Sequence, residues 1–282
     1  MHDDTARAAA RDARALDPWA FPPPRREHDV RGLMRDFETV AGAEAERDLR
    51  VRHLRRAGTT EYGRLAGKLE SCAPGARCRS AACPICCRRL RIWLVGAALE
   101  ILAASDLVAA TLIPGGQALP TDRLQDLSPR RLKDLLRQQL RRCGATVDDA
   151  VVGGVDGEHD AAHGLWQPHF HLVAPAALAP MLDGLGDRYY PKSDHVYRPA
   201  LVQPADDPAR QTSYCAKAYW PQVLRYLDDA GKERRAPPRR LDEPLHVAWL
   251  AWRDRFAPAD FIFLHGVRRY GGGLRVAGPS GS

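Results

Sequence analysis

The 282-residue chain has no apolar run of the ~18 residues or more that a membrane-spanning helix needs, so a helical span is not expected. Its first residues, MHDDTARAAARDARALDP, lack the basic-then-apolar layout of a secretory signal, and a cytoplasmic location is the expectation. No internal repeat is present, which argues against solenoids and arrays. The phosphate-loop signature G-x-x-x-x-G-K-[ST] is also missing, so no ATP-driven motor of that type is encoded. Between Ser71 and Leu99 there is no acidic residue at all.

What is present points the other way. The net charge is +7 (42 basic against 35 acidic residues), a mild lean towards polyanionic partners. Its distribution says more than its sum. The acid-free stretch holds five arginines, and SPRRLKDLLRQQLRRCG carries six basic residues against one Asp. A bland surface would intersperse the signs, so Arg77, Arg79, Arg88, Arg89, Arg130 and Arg131 are candidate nucleic-acid contacts. With 45% hydrophobic residues the chain can also bury a substantial core.

Residues 1–30 end in FPPPRREHD and read as a flexible leader. Residues 31–65 have helical periodicity, 66–91 form a Cys-rich module, 92–226 a core, and 227–282 a basic, proline-punctuated extension. Within the core, IWLVGAALEILAAS reads as a helix and DLVAATLIPGG as a strand. Ser128-Pro129 opens a helix with Leu132, Leu136 and Leu140 on one face, ended by Gly144. DDAVVGGVDGE and WQPHFHLVAP then form a hairpin, followed by a helix near 176–188, a strand within 195–204 and a helix from Asp207-Pro208 limited by Pro221. This order predicts an α+β fold, an antiparallel sheet with helices on one face, of the ferredoxin-like kind.

Seven cysteines in such a chain do not suggest disulfides, and five of them fall within Cys72–Cys87. Cys72, Cys78, Cys83 and Cys86 are spaced C-x5-C-x4-C-x2-C and end in a Cys-Pro-Ile-Cys knuckle. Four thiolates suit a closed, structural Zn2+ site, which would supply the folding energy this short polar segment lacks. Cys87 leaves the ligand set ambiguous by one residue.

In HFH, His169 and His171 project from one face of a strand, with Phe170 on the other. Two imidazoles on one face can converge on a divalent ion. Asp156, Glu158 and His163 lie across the hairpin as sources of a third ligand, Glu158 being favoured, and the mixed N/O set suits Mg2+ or Mn2+. Further on, YCAK places Tyr214 and Lys217 at i and i+3 on one helix side, a weak nucleophile with a cation beside it. Tyr219, at i+5, is expected to face elsewhere.

With LVAATLIP, HFH at 169–171, YCAK at 214–217 and CRSAACPICCRR, residues 66–226 resemble the HUH endonucleases, specifically plasmid-type rolling-circle replication initiators. The resemblance implies a zinc module before a nuclease core. It also implies that His169, His171 and a carboxylate such as Glu158 hold a divalent metal on single-stranded or hairpin origin DNA. Tyr214 would attack the DNA, leaving a 5′-phosphotyrosyl link and a free 3′-hydroxyl, and Lys217 would stabilise the phosphate. Helicase and polymerase would then come from the host. A rolling-circle transposase shares both the module and the core, and a non-catalytic zinc-dependent DNA-binding replication-control protein is the non-enzymatic alternative. A histidine-triad hydrolase would need a third alternating His where Val173 stands.

Overall fold

The computed structural model describes residues 27–34, 36–102, 105–270 and 272–277. Most of the expected leader, 1–26, lies outside the described residues. Three helices come first: α1 (Glu27–Leu33), α2 (Val40–Arg56) and α3 (Thr60–Glu70). Thr39 and Thr59 cap the second and third, their hydroxyls accepting from Gly42 N and Tyr62 N. A fourth, α4 (Pro84–Leu102), starts inside the cysteine segment and continues for 19 residues. Its inward side chains are nearly all apolar or small, from Leu90 to Leu102, so nothing ends it at the expected boundary near residue 91.

The sheet strands are β1 (Leu107–Leu112), β2 (Leu119–Pro120), β3 (Val151–Asp160), β4 (Leu165–Pro175), β5 (Ala200–Pro204), β6 (Gln222–Val223) and, much later, β9 (Ile262–His265). The central order is β5-β1-β4-β3, with every neighbouring pair antiparallel. β9 pairs antiparallel with one end of β3, and the short β6 runs parallel to its other end. The crossovers are α5 (Pro129–Arg142), linking β1 to β3, and α6 (Ala179–Tyr189), linking β4 to β5. Each joins two strands of the same direction with a third inserted between them. α5 begins as the sequence indicates: the Ser128 hydroxyl accepts from Arg131 N at 3.4 Å, Pro129 fills the first turn, and Gly144 follows at φ 92°. The β3–β4 hairpin turns through Gly164 at φ 63°.

Helices cover both faces of the sheet, not one. Ala110, Leu112, Val155, Phe170 and Leu172 pack towards α5, α6 and α8 (Glu243–Asp254), with Trp249 and Trp252 among the largest buried side chains. On the opposite face, Leu107, Val152 and Val173 pack against Leu90, Trp93, Leu94 and Ala97 of α4. The apolar, Ala-rich stretch of α4 is what allows this second layer. The remainder of that face, at the histidine end of β4, carries polar groups.

The extension beyond residue 226 belongs to the same body. It supplies α8, β9 and the hairpin of β10 (Val267–Tyr270) with β11 (Gly273–Val276), while a second small hairpin, β7 (Arg225–Leu227) with β8 (Glu233–Arg235), straddles the expected boundary. Arg50 of α2 ties several layers together. Fully buried, it donates to Glu46 Oε1 at 2.8 Å, Ala82 O at 2.9 Å and Ala218 O at 3.0 Å. No helix among the described residues is long and apolar enough to cross a membrane.

Candidate active site and cysteine cluster

Strand register builds the site. Asp156 pairs directly with His169, Gly154 with His171, and Thr111 of β1 with His171 on its other side. Residues directly opposite share a face, so Thr111, His169, His171, Asp156 and Glu158 project together. The Nε2 atoms of both histidines and Asp156 Oδ1 are buried with no hydrogen-bond partner, which for polar atoms is costly unless something else satisfies them. His171 Nε2 lies 3.4 Å from Asp156 Oδ2, and His169 Nε2 lies 3.8 Å from Glu158 Oε1. Burial, then the neighbouring His171, pulls the His169 pKa down to about 3, so its ring is neutral and offers a lone pair. On His171 the Nδ1 atom is 3.1 Å from Thr111 Oγ1, so with a metal cation at Nε2 the remaining ring proton would sit on Nδ1 and be donated to the hydroxyl.

The nucleophile candidate arrives on α7 (Pro208–Tyr214), whose N-cap Asp207 accepts from Arg210 N at 2.9 Å. This helix stops at Tyr214, well short of Pro221. Tight turns carry the chain on, with Lys217 N donating to Tyr214 O. Lys217 therefore sits beyond the helix, yet its Nζ still lies 3.4 Å from the Tyr214 hydroxyl and 2.6 Å from Asp156 Oδ2. Burial would lower the Lys217 pKa, but Asp156 and the two nearby tyrosines outweigh it and hold the ammonium charged. The Tyr214 ring stands edge-on to His171, centroids 4.6 Å apart, and is 45% exposed, so a substrate can reach its oxygen.

Gly154 makes this docking feasible. A Cβ there would fall 1.7 Å from Cys215 O, so the backbone just after Tyr214 rests directly on the strand. Only glycine permits that approach.

Of the three expected sources of a third ligand, two are here and one is not. Asp156 is directly opposite His169. Glu158, the favoured one, contacts Arg235 of the β7–β8 hairpin as well as facing His169. His163 is turned into another network, with Nδ1 3.0 Å from Asp160 Oδ2 and its ring 4.2 Å from that of His195. Tyr219 is also not remote: Lys217 Nζ lies 5.2 Å from its ring centroid, against 4.8 Å for Tyr214. Sequence reading missed Thr111, Gly154 and Arg235. The hydroxyl inside LVAATLIP and the double glycine of VVGGVDGE were visible signals, but their partners depend on register.

The arginine candidates divide. Arg130 and Arg131 are exposed on α5, and Arg79 is exposed at φ 54° in the cysteine loop, with Arg77 half-buried beside it. Arg89 is half-buried on α4. Arg88 does not fit the expected role. It is 6% exposed and donates to Glu38 O at 2.9 Å, beside the Phe37 ring, because the continuous helix turns it inward.

Cys72, Cys78, Cys83 and Cys86 bring their sulfurs within 4.8 Å of one another, and the Cys72–Cys86 and Cys78–Cys86 separations are 3.7 Å. A tetrahedral ion with Zn–S bonds of ~2.3 Å would set its sulfurs ~3.8 Å apart. The cluster could hold a structural metal such as zinc. Hydrogen bonding with Cys83 draws the Cys72 thiol down to about 6 while pushing Cys83 up, because so many sulfurs in one place cannot all ionise without a cation among them. Cys87 points away and donates to Ala81 O at 3.3 Å, which settles the knuckle on Cys86.

No family model, curated protein or solved structure matches this chain. The functional reading therefore rests on its own residues.

Proposed function

We propose that the protein is a DNA-nicking enzyme of the HUH type, acting as a rolling-circle replication initiator. The observation that carries the reading is one strand face. It presents two buried, unpartnered imidazole nitrogens and two carboxylates, and it has an exposed tyrosine hydroxyl and a charged lysine beside it. The β5-β1-β4-β3 order with its two split crossovers is the arrangement expected of a ferredoxin-like core, and it supports the assignment.

His169 Nε2, His171 Nε2 and the Asp156 and Glu158 carboxylates would hold a Mg2+ or Mn2+ ion. When bound, that ion would polarise the scissile phosphate of single-stranded origin DNA. The Tyr214 oxygen attacks phosphorus as the bond to the 3′ oxygen breaks. The departing oxygen takes up a proton as the tyrosine loses its own, directly or through solvent. A 5′-phosphotyrosyl link and a 3′-hydroxyl result, and one phosphodiester has been exchanged for another, so rejoining needs no external energy. Lys217 stabilises the phenolate and the phosphate, and Asp156 keeps that ammonium charged and in place. Zinc at the four cysteines would brace the start of α4.

The test is covalent. The purified protein, incubated with Mn2+ and single-stranded oligonucleotides bearing origin-like inverted repeats, is expected to yield an SDS-stable protein–DNA adduct, abolished in Tyr214→Phe. Adducts that persist in Tyr214→Phe would move the nucleophile elsewhere. No adduct with any substrate would leave the non-catalytic DNA-binding reading in its place.

A further inference from the structure

The β10–β11 ribbon has two unlike faces. Val267 and Leu274 are buried against α4, and Trp93 Nε1 donates to Gly272 O at 2.7 Å, so the ribbon is firmly seated. On the outer face Arg268 lies directly opposite Arg275, with Tyr270 diagonal to the latter. All three are exposed; Tyr270 is 69% accessible, with the Arg275 guanidinium 4.9 Å from its ring centroid. Like charges directly opposite on a strand pair destabilise it. Among the described residues neither arginine has an ion-pair partner. Glu100 lies at the Gly273 end of the ribbon, its carboxylate 3.5 Å from where a Cβ of Gly273 would sit, without pairing to either arginine. An anion held between the members of such a pair would offset that repulsion.

We propose that the outer face of this ribbon binds the phosphate backbone of DNA, at a surface separate from Tyr214. Two guanidinium groups rooted about 5 Å apart can grip one phosphate or two neighbouring ones, each in a bidentate manner. The exposed Tyr270 ring beside them offers a stacking surface for an unpaired base. The choice of DNA as the anion rests on the nicking reading; the site itself does not, because it is built from Arg268, Tyr270 and Arg275, none of which belongs to the histidine site.

The experiment compares the full-length protein with an Arg268→Ala/Arg275→Ala double variant, binding a fluorescein-labelled single-stranded oligonucleotide from about 50 to 200 mM salt. Loss of two phosphate contacts is expected to reduce the slope of log affinity against log salt by about 1.4, which corresponds to roughly 25-fold weaker binding at 0.1 M salt. The Arg268→Lys/Arg275→Lys variant is expected to keep the slope, and the alanine variant to melt no lower than wild type, since it relieves a repulsion. Unchanged affinity and slope, or a lower melting temperature in the alanine variant, overturns the proposal. Adduct formation on a short oligonucleotide separates the two readings. If the wild type forms none while the alanine variant still loses slope, the ribbon stands and the nicking reading falls. If the variant binds normally while adducts form, the reverse holds.

Discussion

Asp156 and Glu158 lie two residues apart on one strand face, yet their surroundings set them different tasks. Burial raises both pKa values. At Asp156 the Lys217 ammonium and His171 more than reverse this, leaving it at about 2, whereas at Glu158 Arg235 offsets burial only in part and the value stays raised. Asp156 is thus the carboxylate that stays charged opposite His169. Asp156→Asn is expected to weaken Mn2+ binding by at least about 100-fold, and Glu158→Gln by less, as read by titration of the manganese EPR signal. A larger loss in Glu158→Gln than in Asp156→Asn would restore Glu158 as the favoured third ligand. At this scale the histidine pair was legible, because strand parity alone puts residues i and i+2 on one face. Thr111 and Arg235 were not, because each meets its partner across 60 and 77 residues of chain.

The helix α4 shows what segmentation by composition overlooks. The cysteines mark a module in the sequence, and the apolar stretch after them marks a helix, but the helix begins at Pro84, inside the module, and runs on unbroken through the apolar stretch. Cys83 and Cys86 lie at its first turn, fully buried, in the same core cluster as Leu65, Leu69 and Trp252. Loss of a metal held there would therefore loosen the whole molecule and not release a detachable unit. Cys83→Ser is expected to lose bound zinc and to lower the melting temperature of the entire protein by about 10 °C or more in a single transition. A separate low-temperature transition confined to residues 66–91, seen by hydrogen exchange, would instead support an independent module. The same lesson applies at the other end: residues after 226, which read as an extension, complete the sheet through β9 and the core through α8.

For the molecule as a whole, acid sensitivity should come in part from His246, stacked on Trp249 and within 2.9 Å of His53 Nδ1. Burial, and then the positive charges of Arg50 and its neighbours, depress its pKa from 6.5 to about 3. The unfolded chain therefore takes up this proton first. The stability linked to His246 is complete above pH 6.5 and is lost as the pH falls from there towards 3, at up to about 1.4 kcal/mol per pH unit. Urea unfolding between about pH 7 and 5 should show that decline, and His246→Gln should flatten it. An unaltered slope in the variant would assign the acid sensitivity to other groups.

The sequence by itself determined the local chemistry: which strand presents two imidazoles, which four cysteines share a cluster spacing, where Ser128 and Gly144 begin and end a helix. Such features depend on neighbours a few residues away, and backbone periodicity dictates them. The tertiary structure decided what faces what. It put Asp156 opposite His169, turned His163 and Arg88 away, brought Tyr219 to the same lysine as Tyr214, and laid the chain after Tyr214 on Gly154. Those outcomes follow from sheet register and from helices packed on both faces, and no local pattern encodes either.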